Sequence, residues 1–322
     1  MRYGAVEGID KSIPRLVQGT SMSGADARSH GFALLDELFE AGMTAFDTAH
    51  QYGEGEVERV LGRWMQERGV RDQVVIITKG AHHTQDRKRV TPFDISSDMF
   101  DSLARLRTET IDLYLLHRDD ELVPVAPLMD TLNEHLRAGR IRAFGASNWR
   151  HERIQEANDY ARAHHLTGFA ASSVHISLAE QVKEPWRDCI TITGAKGRAG
   201  YEWYQRTQMP LFAWSSMAGG FFTGRYRAEN LDALTLENDR TCIMAYGYPQ
   251  NFERLERARV LAEEKGLAAT QIALAWVLNQ PLNAFVLVGH QNAAEVRQNL
   301  AAVDVRLTQA ELEWLDLRRD VR

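Results

Sequence analysis

At 322 residues the chain is longer than most single domains but suits one α/β barrel with a large core, and we read 1–322 as a single domain. Its 44% hydrophobic and 25% charged residues exclude a disordered chain, and a net charge of -6 with only a short basic run, Arg87 to Arg89, excludes a broad nucleic-acid surface. The opening MRYGAVEGID lacks an apolar leader and no apolar run could span a bilayer, so a cytoplasmic protein without membrane contact is expected; Cys189 and Cys242 are too few and wrongly spaced for a disulfide framework or a metal site.

Along the chain, short apolar runs rich in β-formers alternate with longer amphipathic segments, the pattern of parallel strands joined by crossover helices. The predicted strands are Leu16 to Thr20, Ala45 to Ala49, Val74 to Lys79, Ile111 to His117, Ile141 to Ser147, Phe169 to Ser177, Pro210 to Ser216 and Phe285 to His290. Helical spacing is clearest at Gly31 to Ala41, Val57 to Arg68, Met99 to Arg107, Val125 to Ala138 and Gln271 to Leu278. Eight right-handed β-α-β units close into a (β/α)8 TIM barrel, with an open doubly wound sheet as the alternative.

Two segments break the rhythm. Gly80 to Thr91 is polar and carries histidines; Gly219 to Gln250 is longer, with little periodicity, and reads as an irregular loop. Both follow strands, on the face where barrel loops build active sites. Near the end, Thr308 and Glu311 form a capping box before an extra helix that carries Leu312 and Leu315 and packs on the outside.

Four successive strands end in polar groups: Asp47, Lys79, His117, and Ser147 with Asn148. Strand ends of a barrel converge, so residues some thirty positions apart can share one site. Tyr52 follows Asp47 by about one turn.

The ordered segments FDTAHQYGEGEVERVLG, IITKG, IDLYLLHRDD, GRIRAFGASN, LFAWSSMAGGFFTGRY and VLVGHQNAAEVRQNL resemble the signatures of the aldo-keto reductase superfamily over nearly the whole chain. The resemblance implies an NAD(P)-dependent oxidoreductase that interconverts a carbonyl and an alcohol, with Asp47, Tyr52, Lys79 and His117 as its catalytic residues. Hydride delivery leaves an alkoxide that needs a proton, and Tyr52 is the expected acid. A phenol is a weak acid, so the Lys79 ammonium is expected to lower its pKa; a charge pair at about 4 Å and an effective dielectric of about 20 is worth roughly 4 kcal/mol, or about three pKa units. Asp47 would keep Lys79 charged, and a neutral His117 would orient the carbonyl.

For the cofactor, the resemblance implies contacts from Asp47, from Ser147 and Asn148 to the carboxamide, and from Trp214 stacked on nicotinamide. Ser215, Ser216, Met217 and Gly219 would approach the pyrophosphate, Arg225 would neutralise it, and Thr20 and Ser21 add contacts. Ser173 stands where many relatives have Gln, and Ile176 where they often have Tyr. The adenosine end falls to Gly289, His290, Gln291, Glu295, Gln298 and Asn299. A carboxylate at Glu295 repels a 2'-phosphate, which makes NADH at least as good a cofactor as NADPH, unless Asn292 and Glu295 are simply a helix cap.

Substrate-wall candidates are Met22, His82 and Trp149 beside Tyr52 and His117, with the loop near Tyr246; their mixture of rings and polar groups suits a sugar or other polyhydroxylated carbonyl. No metal is expected, because His82-His83 and His164-His165 lack the spacing and carboxylate partners of a metal site. Two other readings stay open: a cofactor-binding redox sensor or regulatory subunit, and a Schiff-base aldolase using Lys79. Oligomeric state is not legible in the sequence.

Overall fold

A computed structural model describes residues 1–21 and 27–322. The eight expected strands all form, and their order is that of a closed parallel (β/α)8 barrel. The chain divides into two compact units, Met1–Ser173 with Gly289–Val296, and Val174–Val288 with Arg297–Arg322.

The first unit opens with an antiparallel hairpin, β1 (Tyr3–Gly4) and β2 (Ile13–Pro14). It continues through β3 (Leu16–Gly19), α1 (Ala27–Glu40), β4 (Ala45–Asp47), α2 (Glu56–Arg68), β5 (Val75–Gly80) and α3 (Pro92–Leu106). Then come β6 (Ile111–Leu116), α4 (Val125–Arg137), β7 (Ile141–Ser147), α5 (His151–Ala163) and β8 (Ala171–Ser173). Strands β5 and β6 are buried at every position, as parallel strands covered on both faces must be. Register aligns the strand ends: Gly19 of β3 pairs with Asp47 of β4, Lys79 of β5 with Leu115 of β6, and Ser147 of β7 with Ser173 of β8.

Local sequence explains the helix boundaries. Thr91 caps α3 by accepting from the Asp94 amide at 3.2 Å, with Pro92 in the first turn. Gly69, at φ 64°, ends α2 in the left-handed conformation. Near the amino end of β6 the buried Asp112 carboxylate meets Lys11 at 3.0 Å and Arg71 at 2.8 Å, tying the hairpin segment to the sheet.

The second unit holds α6 (Gly194–Thr207), β9 (Leu211–Ala213), α7 (Glu237–Tyr246), α8 (Pro249–Lys265), α9 (Ala269–Leu278) and β10 (Ala284–Val288). Helix α10 (Ala293–Asp304) begins in the first unit and ends in the second, and α11 (Gln309–Leu315) completes the chain. Strands β9 and β10 pair in parallel, Phe212 with Phe285, and those two rings stack at 4.8 Å. The capping box is present: Glu311 N donates to Thr308 Oγ1 at 3.1 Å and Thr308 N to Glu311 Oε2 at 2.7 Å. Leu312 and Leu315 are buried beneath it. Cys189 and Cys242 are not joined in a disulfide, and both are buried.

One expectation fails. The segment from Gly219 to Gln250 is not irregular throughout, because α7 forms within it. Arg225 explains part of this order: its guanidinium grips Asp239 on α7 at 2.7 and 2.5 Å, and the Tyr226 hydroxyl donates to the same carboxylate at 3.0 Å.

Candidate active site

The site is built where β4, β5 and β6 end side by side. Asp47 is the last residue of β4, Lys79 the next to last of β5, and His117 follows β6 directly. After β4 the backbone turns sharply, with Gly53 and Glu54 both at positive φ, and this turn carries Tyr52 back over the strand ends. Lys79 Nζ donates to Asp47 Oδ1 at 2.6 Å and to the Thr48 carbonyl at 2.8 Å, and lies 3.5 Å from the Tyr52 hydroxyl. The Tyr52 ring meets His117 edge to face, with centroids 5.8 Å apart. Asp47, Lys79 and His117 are almost wholly buried, while Tyr52 keeps partial exposure.

Burial sets the protonation states. Desolvation pulls Lys79 down, but Asp47 and Tyr52 more than offset it, so the amine is held above its usual range as an ammonium. Burial likewise pushes the Asp47 carboxyl up, against the pull of Lys79. Burial raises Tyr52 above 10 as well; Lys79 pulls it down as expected, but does not win. The phenol is therefore protonated at neutral pH, a correction to the expectation of a net-lowered acid. His117 is driven well below its usual value by burial, then by Lys79 and Arg118, and is neutral. Three buried polar atoms here, Asp47 Oδ2, His117 Nδ1 and Ser173 Oγ, have no hydrogen-bond partner among the described residues.

The remaining expected residues of the first unit fall into two groups. Ser147 and Ser173 end neighbouring strands, and Asn148, at φ 57°, donates its amide to Ser147 Oγ at 3.1 Å and its backbone N–H to the Ser173 carbonyl at 2.9 Å. Thr20 uses its hydroxyl on the Asp47 carbonyl at 2.9 Å, which stitches β3 to the site, and Ser21 is exposed. Beyond β10, Gly289 and Gln291 are exposed, and the buried His290 ring lies 2.9 Å from Gln18 Oε1, a partner sequence reasoning missed. Glu295 accepts from the Gln291 amide at 2.8 Å and from Asn292 at 3.2 Å, while its own N–H donates to Asn292 Oδ1 at 3.0 Å. The cap is thus real.

On the wall beside Tyr52, His82 closes edge to face on His117 at 4.8 Å and lies 4.6 Å from His83. Burial lowers the His82 pKa to about 4, so this ring is neutral too. Trp149 is only 1% exposed and donates its indole N–H to the Arg118 carbonyl at 3.0 Å, packing against Phe169. Met22 lies outside the described residues. Arg118, whose Nη1 donates to the His117 carbonyl at 2.9 Å, was missed; its place next to His117 in sequence was the available signal.

In the second unit Trp214 follows β9, its ring 5.0 Å from His175 and 5.9 Å from Trp186. His175 is held on both sides, by Thr191 Oγ1 at 2.7 Å and by the Tyr246 hydroxyl at 3.0 Å. Tyr246 is buried. Ser215 and Met217 are partly exposed, Gly219 is exposed, and Ser216 uses its hydroxyl on the Leu287 carbonyl at 3.0 Å. Gln298 is exposed and Asn299 buried. Arg225 is paired with Asp239 within its own segment, at 2.5 Å. Among the described residues no group of three His, Cys, Asp or Glu side chains is arranged to hold a metal ion, and no helix is long and apolar enough to cross a membrane.

Comparison with known proteins adds independent findings. The model of the aldo/keto reductase family matches residues 15–317. A putative aryl-alcohol dehydrogenase of Saccharomyces cerevisiae, AAD14, is 29% identical, over 91% of this chain and 77% of the yeast protein. Norsolorinic acid reductase stcV of Emericella nidulans is likewise 29% identical, over 92% of this chain and 73% of its own length. Among solved structures, a thermostable aldo-keto reductase, Tm1743, shares the fold with a TM-score of 0.73, at 23% identity over 98% of this chain and 99% of that one.

Proposed function

The chain belongs to the aldo/keto reductase family and is an oxidoreductase, and from that premise we propose that Tyr52 delivers and removes the proton in an NAD(P)-dependent interconversion of carbonyl and alcohol. The observation that carries the reading is the Asp47–Lys79–Tyr52 chain of contacts, 2.6 and 3.5 Å, beside a neutral His117. A bound nicotinamide cofactor would supply or accept the hydride. Tyr52, protonated, hands its hydroxyl proton to the reduced oxygen, and Lys79 steadies the phenolate left behind. His117 donates a hydrogen bond to the carbonyl oxygen and fixes its orientation. In the oxidative direction Tyr52 must first lose its proton, so alkaline pH favours it.

A nicotinamide cofactor suits the residues present, since the partnerless Asp47 Oδ2 and Ser173 Oγ are buried polar atoms that an amide or hydroxyl of the cofactor would satisfy. Ser147 and Asn148 would take the carboxamide. NADH serves at least as well as NADPH, because Glu295 brings a negative charge to the adenosine end.

For the substrate we favour an aryl aldehyde, ketone or alcohol. The imidazole rings of His82, His83 and His117 form a continuous series beside Tyr52, and a relative named for aryl alcohols aligns over most of the chain. A sugar is the second reading, supported by the polar edges of those rings. Lys79 is a poor Schiff-base nucleophile while Asp47 holds it as an ammonium. A panel of aryl aldehydes, aliphatic aldehydes, aldoses and the matching alcohols, assayed both ways with NAD(H) and NADP(H), tests the proposal. Selective turnover of aryl substrates supports it; aldose-only turnover reverses the substrate order, and no turnover with any of them overturns the reaction.

A further inference from the structure

Helix α3 grips both loops of the candidate site through one face. Asp94, Asp98, Asp101 and Arg105 are spaced four, three and four apart, which places them on a single helix stripe. Toward the Tyr52 turn, Arg105 Nη1 donates to the His50 carbonyl at 2.8 Å, and the His50 ring lies 3.1 Å from Asp101. Toward the loop after β5, Asp98 Oδ2 accepts from the Ala81 N–H at 2.8 Å, and Arg89 clamps the same carboxylate at 2.6 and 3.0 Å. Asp98 is 1% exposed. Ala81 itself sits at φ 59°, a region that a residue with a side chain enters only when held there. Gly80 beside it has no room for a side chain, since a Cβ would strike the Tyr114 hydroxyl and come within 2.9 Å of Asp98 Cβ. The next residue is His82, whose ring lies 4.8 Å from that of His117.

We infer that Asp98 is a positioning residue for the carbonyl side of the site, acting through the Ala81 N–H on the His82 ring that closes against His117. The inference rests on the reaction proposed above, in which His117 meets the carbonyl oxygen. Asp98 touches neither Tyr52 nor Lys79, and its link toward their turn, the His50 ring at 3.7 Å, is backed by Asp101 at 3.1 Å, so its loss acts first on substrate placement. His82 itself is faced by His83, His117, Arg89 and Arg118, and its desolvation depends on the loop staying closed.

The test compares Asp98→Ala with Asp98→Asn, which keeps an oxygen for the Ala81 N–H. Asp98→Ala should cut kcat/KM for the carbonyl about ten-fold or more, as small misplacements in active sites do, with NAD(P)H affinity within about two-fold and the pH profile unmoved. Asp98→Asn should recover most of the loss. Because Asp98 works through His82, the His82→Ala, Asp98→Ala double variant should be no worse than His82→Ala alone. NMR titration of the His82 ring gives a readout independent of turnover: it should move in Asp98→Ala, where the ring gains solvent and Arg89 loses its carboxylate partner. Additive losses in the double variant, or an unmoved His82 titration in a folded Asp98→Ala protein, would overturn the assignment. If the natural protein turns over no carbonyl, the reaction fails, and the His82 titration still decides the role of Asp98.

Discussion

Lys79 Nζ lies 2.6 Å from the Asp47 carboxylate and 3.5 Å from the Tyr52 hydroxyl, so the cation is anchored by the acid and lent to the phenol. That asymmetry fits a site whose phenol rests protonated and needs help mainly after it has given up its proton.

Replacing Tyr52 with Phe removes the hydroxyl and little else. Turnover should fall by about 10²- to 10⁴-fold, the usual contribution of a positioned acid, while NAD(P)H affinity measured by fluorescence titration stays nearly unchanged. Lost cofactor binding, or full activity, would show that Tyr52 has another role.

Lys79→Met should act on two observables. Tyr52 is held up by burial and pulled down by Lys79, so removing the cation raises Tyr52 further and moves the alkaline rise of alcohol oxidation to higher pH. The same change leaves Asp47 buried without its partner, a loss of about 3–5 kcal/mol in other buried pairs. Lys79→Met, Asp47→Asn should recover stability in thermal melts without recovering activity. An oxidation profile that moves to lower pH would contradict the assigned role of Lys79.

At Glu295 the carboxylate is engaged in the helix cap, so the two readings of the sequence can be separated by a change that keeps the cap. Glu295→Gln preserves the capping oxygen and removes the charge. The NADP:NAD ratio of kcat/KM should rise by about five-fold, the size of a charge interaction near 1 kcal/mol. An unchanged ratio would confine Glu295 to the helix end.

Acid stability offers a check on the loop after β5. Asp94 is depressed from 3.8 to about 2, first by its hydrogen bond from Arg87, with Thr91 and Arg89 adding to the effect. A depressed carboxyl stabilises the fold fully above its unfolded value, and that stabilisation fades as pH falls through 3.8 toward 2. Asp94→Asn should therefore melt lower than the natural protein at pH 6, with the gap narrowing as the pH falls below 3.8 and closing only near 2. A gap that widens on acidification would reverse the sign of the effect.

Much of the architecture was legible because parallel strands buried on both faces leave continuous apolar runs, as in Val75 to Ile77 and Leu113 to Leu116, each closed by a polar residue at the rim. The residues brought together at the rim, Asp47, Lys79 and His117, follow from that register alone. What the sequence hid depends on depth and on distant partners. Lys79 acts on Tyr52 in the expected direction, but the burial that outweighs it has no sequence signature. Trp149 and Tyr246 read as wall residues and are buried, each with its polar tip satisfied inside. Arg225 finds Asp239 fourteen positions on, a pairing that no local pattern announces.

The two buried thiols have a practical use. Cys189 and Cys242 both belong to the second compact unit, and the first contains none. Burial pushes the Cys242 thiol up to about 12, which leaves almost no thiolate at neutral pH. Pulsed alkylation read by intact mass would thus be silent on the folded chain and report, with no engineered label, the moment the second unit opens. Scored against denaturant, it would tell whether that half lets go before the far-ultraviolet signal of the whole does.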